Sequence, residues 1–507
     1  MYSKVTTAVI CGLESLSVSV EADVSNGLPM FEMVGFLSAE VKEAKERVRT
    51  ALRNCGYQLP AKRITINLSP ADVRKSGSGF DLPIAVAILA ALEVVDIKML
   101  HNTLVLGEIS LDGSILPMKG VLPMTAKALE EGMTKCIIPK QNENEAALIP
   151  GITIWAVENI KELISYLNGK NYERKADINI EETQIKNITP DFAEINGHRT
   201  VRRACEVAVA GMHNFLMIGP PGSGKTMIAK RIPGILPPMT EKEQLEVSKI
   251  YSICGMLPKN GGLVQERPFR SPHHTISPNG LSGGGSIPKP GEISLAHLGV
   301  LFLDELPEFK KTTLEILRQP MEDKQICLVR QSGTYCYPSD FMLVAAMNPC
   351  KCGYFPDRSR CNCRDTQIEA YLGKISRPLM DRIDICVETP VICYEELTGK
   401  EKNESSAEIR ERIMKAFERQ KQRFCGTNIR YNSQIPSGSI EKYCKLDTKQ
   451  KKFMKKIFQS MELSARGYYK ILKTARTIAD LENSEEIQQK HLNEAVCYRM
   501  IDKKYWE

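Results

Sequence analysis

The residues most able to do chemistry begin with Gly219-Pro220-Pro221-Gly222-Ser223-Gly224-Lys225-Thr226, which follow the apolar run HNFLMI and precede the helical segment MIAKRI. Glycines at this spacing let backbone N–H groups close around phosphate oxygens, and the N-terminus of the following helix adds its dipole. Lys225 can reach the outer phosphates and the Thr226 hydroxyl can hold Mg²⁺, the pattern of a phosphate-gripping loop. An ordinary glycine turn is the alternative, and the strand before and helix after argue against it.

A second element, GVLFLDELPEF, runs the apolar stretch Val300–Leu303 into Asp304 and Glu305. Carboxylates at the end of a buried strand are costly unless they face a cation or a reaction centre. Beside a phosphate loop, Asp304 would act on Mg²⁺ through water and Glu305 would polarise the attacking water. A solvated acidic pair is the common reading of an isolated Asp-Glu. A third apolar run, FMLVAAM, ends at Asn348, a neutral side chain suited to orienting water or sensing a γ-phosphate. Phosphoryl transfer also needs a cation where charge develops. The segment MDRID offers Arg382, with Arg377 close by, and chemistry alone does not choose between them.

Cys350-Lys-Cys352 and Cys361-Asn-Cys363 give four soft ligands able to close a tetrahedral site, so structural Zn²⁺ is expected in preference to two coincidental thiol pairs. The Cys-x-Cys spacing is tighter than the usual Cys-x-x-Cys. Most of the other cysteines among the 16 are scattered singly and read as buried thiols of a reducing compartment. His273, His274 and His297 read as hydrogen-bonded structural residues without a catalytic role. The run LSGGGS (281–286) reads as a mobile loop rather than a second phosphate cradle.

These groups need a scaffold, and 507 residues with 42% hydrophobic and 25% charged side chains suffice for about three domains. Residues 1–170 alternate strand-like and helical runs, as in Arg63–Leu68, Leu82–Glu93 and Thr103–Leu106, which predicts an α/β unit. Residues 171–190 turn polar, as a linker does. Residues 191–395 place short apolar runs between helices, the signature of a buried parallel sheet with helices on both faces. Residues 396–507 have helical periodicity and a basic balance: Lys400–Glu507 hold 24 Lys and Arg against 15 Asp and Glu, within a net charge of +7 for the whole chain. The longest apolar stretch, Leu82–Val95, contains Pro83 and Glu93 and is too short for a membrane span. The N-terminus lacks the pattern of a secretory signal, which predicts a cytoplasmic protein without a membrane partner.

The motifs RPFRSPHHT (267–275), PGEISLAHLGVLFLDELPEF (290–309), MNPCKCGY (347–354) and SARGYYKILKTARTIADLE (464–482) resemble the AAA+ ATPases, specifically the magnesium-chelatase-like ComM/YifB family, over nearly the whole chain. The resemblance implies ATP with Mg²⁺ at the interfaces of a homo-oligomeric ring, a hexamer. It also implies Asn348 as sensor 1, Arg382 (or Arg377) as the arginine finger, and Arg466 (or Arg476) of a C-terminal helical lid as sensor 2. Ser-Arg-Pro at 376–378 departs from the Ser-Gly-Pro of the chelatase branch. The runs QICLVR and GTYCYPS, joined at Gln331 and Ser332, read as a hairpin. It resembles the pre-sensor hairpin of DNA-pumping relatives, which makes Arg330 and Gln331 candidate contacts to DNA phosphates. A structural hairpin with a solvated arginine is the alternative.

Residues 1–170 resemble the Lon protease domain in RKSGSGFDLPIAVAI, VLGEISLDGSILPMKG and CIIPKQNE. The serine position of Lon falls on Gly79 and the lysine position on Leu122, so neither nucleophile nor base is present, and Ser78 and Lys119 lie off register. A non-proteolytic scaffold follows. Together these features predict an ATP-driven DNA motor acting on single-stranded or branched DNA, in the manner of a branch-migration helicase in recombination and transformation. A chelatase-like motor that remodels a protein partner and a protein unfoldase are the rivals.

Overall fold

The computed structural model describes residues 1–169, 190–258, 262–285, 288–331, 333–392, 394–398 and 403–506, with the side chains of residues 502 and 503 left out. The linker predicted at 171–190 therefore lies outside the described residues except at its last position, as do Ser332 of the hairpin turn and Ser286 of the glycine-rich run.

The N-terminal region is built on a seven-stranded mixed sheet of Tyr2–Cys11 (β1), Glu14–Ser25 (β2), Met30–Val34 (β3), Arg63–Ser69 (β4), Thr103–Val105 (β5), Lys135–Pro139 (β6) and Thr153–Val157 (β7), in the order β3-β4-β2-β1-β5-β6-β7. Strand alternation sends Val18, Val20, Ala22 and Ile137 to one face and Ala8, Cys136 and Ile138 to the other. Ala39–Asn54 (α1) and Asp81–Ala91 (α2) cover the first face, and Val121–Glu130 (α3) the second. Helix α2 is fully buried and, beyond Asp81, apolar on every side, the core helix expected of Leu82–Glu93.

The positions aligned with the serine and lysine of Lon are closely packed. A Cβ on Gly79 would lie 2.7 Å from the Met118 methyl carbon. Leu122 is buried, and its N–H donates to Glu145 Oε1 at 3.0 Å.

The second sheet is wholly parallel. It comprises Phe215–Ile218 (β8), Phe269–Arg270 (β9), Val300–Leu303 (β10), Met342–Met347 (β13) and Ile385–Glu388 (β14), ordered β9-β10-β13-β8-β14; the antiparallel hairpin Gln325–Arg330 (β11) and Gly333–Pro338 (β12) precedes β13. Phe215, Met217, Val300, Phe302, Met342, Val344 and Ala346 face one core, while Leu216, Ile218, Leu301, Leu303, Leu343, Ala345 and Met347 face another. Burial on both sides explains the unbroken apolar runs. Around the sheet lie Arg199–Gly211 (α4), Lys225–Ala229 (α5), Glu241–Cys254 (α6) and Arg318–Asp323 (α7).

The C-terminal helices are Ser406–Arg423 (α8), Thr448–Ser460 (α9), Ala465–Leu481 (α10) and Gln489–Trp506 (α11). Capping boxes start α8 at Ser405/Glu408 and α9 at Asp447/Gln450. Their apolar residues share one core with α4 and β8, so the helical region is packed onto the sheet. No helix among the described residues is long and apolar enough to cross a membrane.

Two of the scattered cysteines are paired. Cys327 and Cys336, opposite each other in the hairpin, form a disulfide. Their nine-residue separation carried no signal, because a cross-strand pair is visible only once the register is known. The glycine-rich run also differs from expectation: Gly283–Gly284 pairs as a short strand with Lys289–Pro290.

A buried ion network holds the helical region together. Asp480 is 2% exposed and accepts from Arg423 Nη1 at 2.7 Å, from Arg476 Nη2 at 3.0 Å and from Asn432 Nδ2 at 2.8 Å. Removing the carboxylate leaves guanidinium groups without their counter-charge, so Asp480→Ala should lower stability by about 3–5 kcal/mol, read as an early unfolding transition in chemical denaturation.

Candidate active site

Parallel strands deliver their C-terminal ends to a common edge, and three of the predicted groups arrive there in this way. Ile218 pairs with Met347, and the N–H of Gly219 donates to the Met347 carbonyl at 3.1 Å, so the phosphate loop starts beside Asn348. Gly222 (φ +77°) and Gly224 (φ +79°) turn the loop through backbone shapes that favour glycine, and α5 begins at Lys225. A Cβ on Gly222 would meet nothing within 4 Å, while one on Gly219 would lie 2.2 Å from the Thr389 carbonyl oxygen. The loop is thus tight at its base and open at its crest.

Lys225 is buried, with its ammonium 2.8 Å from the carbonyls of both Gly219 and Pro220, 3.3 Å from Ser223 Oγ and 3.2 Å from Asn348 Oδ1. Burial pulls its pKa down to about 8 against the opposing pull of Asp304. The Thr226 hydroxyl donates to Asp304 Oδ2 at 2.5 Å, and Asp304 Oδ1 accepts from the N–H of Glu305 at 2.9 Å. An ammonium, a hydroxyl and a carboxylate converging on an open glycine crest fit a triphosphate with its divalent cation.

Glu305 adopts φ +50°, a left-handed conformation uncommon for a side-chain-bearing residue, and its carboxylate is exposed. Its Oε2 lies 3.6 Å from His274 Nδ1, and the His274 ring meets Phe309 edge-on. Sequence pattern alone gives His274 no role; the structure sets it against Glu305. Its proximity depends on β9 neighbouring β10, a strand order that local pattern does not reveal. His273 and His297 have structural partners: Nδ1 of His273 is 2.9 Å from Thr275 Oγ1, and His297 bonds Glu246 and the N–H of Asp340.

The arginines lie elsewhere. Asn214, before β8, bonds the carbonyl of Arg382, the carboxylate of Asp384 and the N–H of Leu343, stitching together the N-terminal ends of β8, β13 and β14. A four-residue strand, about 13 Å long, separates this edge from the phosphate loop. Arg382 Nη2 meets Glu322 Oε1 at 2.8 Å, and Arg466 Nη2 meets the same oxygen at 2.5 Å. Both line a cleft of about 730 Å³ at this far edge, together with Lys324, Lys470 and Lys473. Arg377 is exposed at the start of a short helix. Arg476 is buried, and its Nη1 and Nη2 groups donate to Asp480 and to the carbonyls of Ser484 and Glu485 within the helical region.

Cys350, Cys352, Cys361 and Cys363 converge, with all four sulfurs within 4.8 Å of one another and the nearest pairs at 3.3, 3.5 and 3.7 Å. Four thiolates about 2.3 Å from a tetrahedral ion lie about 3.8 Å apart, so the cluster has the dimensions of a metal site. Gly353 (φ +86°) carries the turn onto the phosphate loop: a Cβ there would fall 2.4 Å from Pro221 Cδ. Arg330 and Gln331 lie exposed at the hairpin tip beside Val329, while the buried Tyr337 anchors its base to the Pro288 carbonyl at 2.7 Å.

Comparison with known proteins agrees with this geometry. Residues 191–397 match the family model "Magnesium chelatase, subunit ChlI", residues 20–142 match "Subunit ChlI of Mg-chelatase", and residues 403–499 match its C-terminal model. The competence protein ComM of Haemophilus influenzae is 42% identical over 496 residues, covering 97% of this chain and 96% of ComM. YifB of Escherichia coli is 40% identical over 511 residues, covering 99% and 97%. An archaeal Lon protease of Thermococcus kodakarensis is 28% identical over 166 residues, 31% of this chain and 26% of the protease. With likeness along almost its full length, a phosphate loop and an acidic strand end at one sheet edge, this chain belongs to the magnesium-chelatase-like AAA+ ATPases, in the branch that contains ComM and YifB.

Proposed function

We propose that this ATPase works as a homo-oligomeric ring, a hexamer, that binds DNA and translocates on it, in the manner of a branch-migration helicase acting in homologous recombination and natural transformation. The observation that carries the ring is the separation of Arg382 and Arg466 from their own phosphate loop by the depth of the sheet. Placed there, they are suited to a neighbour's ATP, and Glu322 holds them until a γ-phosphate competes for them. The DNA part is supported by the hairpin with Arg330 and Gln331 at its tip, by the basic C-terminal balance and by the likeness to a competence protein.

In this reading Lys225 neutralises the outer phosphates, Thr226 and Asp304 hold Mg²⁺, and Glu305 polarises the attacking water while Asn348 orients it. His274 then sets the direction of the Glu305 carboxylate. Arg382 and Arg466, donated by the adjacent subunit, stabilise charge as the phosphoryl group transfers. The cysteine cluster holds structural Zn²⁺ that stiffens the turn behind Pro221. The Lon-like region serves as a non-proteolytic scaffold.

Glu305→Gln should lower ATP turnover at least about 100-fold while nucleotide binding persists, and Arg382→Ala should cost about 1,000-fold. Equimolar mixing of the two variants should recover turnover, because sites with an intact glutamate then meet an intact arginine; no recovery would exclude catalysis across an interface. Single-stranded, duplex and branched DNA should each be assayed for stimulation of turnover at two salt concentrations. Stimulation should fall steeply with salt, and a response to a protein partner alone would favour the remodelling rivals. Protein purified without added metal should carry about one zinc per chain, and Cys361→Ser should lower both zinc content and ATP affinity. Folded, active protein free of zinc would remove the metal assignment.

A further inference from the structure

Helix α9 has a composition that folding does not explain. Across Thr448–Ser460 it carries Lys449, Lys451, Lys452, Lys455 and Lys456 and no acidic residue. At 100° per residue the five lysines occupy one continuous arc, while Phe453, Met454 and Ile457 occupy the opposite arc and pack into the core. All five lysines are exposed, and among the described residues none pairs with a carboxylate. The neighbouring α8 behaves differently, its Lys415 and Arg412 being matched by Glu411, Glu404 and Glu206. On α9 the lysines repel one another at i,i+3 and i,i+4, and two of them crowd the positive N-terminal turn.

We infer that this basic face of α9 is a binding surface for the sugar–phosphate backbone of single-stranded DNA, with Phe458 as a stacking platform for a base. The inference rests on the DNA-motor reading and locates a contact for it outside the hairpin. Lys449 to Lys456 span about 10 Å along the axis, the axial rise of about three nucleotides of one strand. Phe458 is 41% exposed at the C-terminal end of the arc, and Tyr468 holds its ring edge-on at a centroid distance of 6.0 Å. An aromatic face beside a cationic track suits unpaired bases, whose rings are free to stack. A lipid surface does not fit, because the apolar stripe that would enter a membrane is already committed to the core.

The test uses the full chain and a labelled thymidine oligonucleotide, with affinity measured by fluorescence anisotropy over a salt series. Replacing all five lysines by glutamine keeps helix propensity and, since none of them touches the nucleotide site, should leave ATP turnover without DNA unchanged. Affinity should drop at least about tenfold, and the slope of log affinity against log salt should shrink by up to about 3.5, or 0.7 per phosphate released. The five-arginine variant should restore both, which separates charge from folding. Phe458→Ala should weaken the single strand several-fold and leave duplex untouched; an unchanged single-strand affinity would overturn the stacking platform. Wild-type-like affinity and slope in the glutamine variant would overturn the inference and hand the face to an acidic protein partner. Wild-type protein that binds no DNA would sink the motor reading, and this surface with it.

Discussion

The structure turns on one buried ammonium. A lysine taken out of water without compensation is prohibitively costly, and Lys225 is tolerated because carbonyls of its own loop and the amide of Asn348 surround it. That solution requires β8 and β13 to be neighbours in one register, since Asn348 belongs to the second and the loop to the first. A triphosphate would offer the same amine another set of oxygens, and binding would then exchange internal acceptors for those of the ligand. The loop is also backed from outside, where Gly353 of the cysteine turn meets Pro221 so closely that no side chain fits between them. A metal among the four sulfurs would fix that turn, and hence the wall of the nucleotide site, at a distance from the chemistry.

The opposite sheet edge is governed by different pairings. Asn214 ties three strands together, and Asp384 there is buried against Lys470 at 3.1 Å. That contact joins the parallel sheet to α10, so the helical region and the core share a counter-ion. Glu322 repeats the arrangement closer to solvent, bridging Arg382 of the core to Arg466 of the helical region. One sheet thus carries acids and a phosphate loop at one edge and paired arginines at the other. A heterologous contact that sets one edge against the other in the next copy closes into a ring when the rotation allows.

Much of this was legible in the sequence because buried parallel strands leave an unmistakable local pattern. Phe215–Ile218 and Val300–Leu303 were readable to the residue, and the acids and Asn348 follow directly from where such strands stop. What escaped depends on non-local geometry. His274 approaches Glu305 through the adjacency of β9 and β10, and Cys327 meets Cys336 through hairpin register. Glu322 is an ordinary surface glutamate until two arginines distant in the chain converge on it. Arg466 and its alternative Arg476 lie about three turns apart on α10 and face different surroundings, Glu322 for the first and the buried Asp480 for the second.

The N-terminal region illustrates the same difference. Sequence shows a protease-like frame with glycine and leucine where a nucleophile and a base would stand, which argues only that a reaction is missing. The structure adds how the region is packed. Met118 closes over Gly79, and the end of α3 that carries Leu122 is docked on the ATPase: the N–H of Gly120 donates to the Ser252 carbonyl at 3.1 Å, and Ser252 Oγ donates to Glu145 Oε1 at 2.5 Å. Lys119 lies along Gly255, the left-handed cap of α6. On the other side of the hairpin, the N–H of Leu13 reaches the carbonyl of Cys336 at 3.3 Å, with Gly12 too close to it for any side chain. The region meets the ATPase at the end of α6 and at the base of the hairpin, and its core also packs against Leu245 and Leu263.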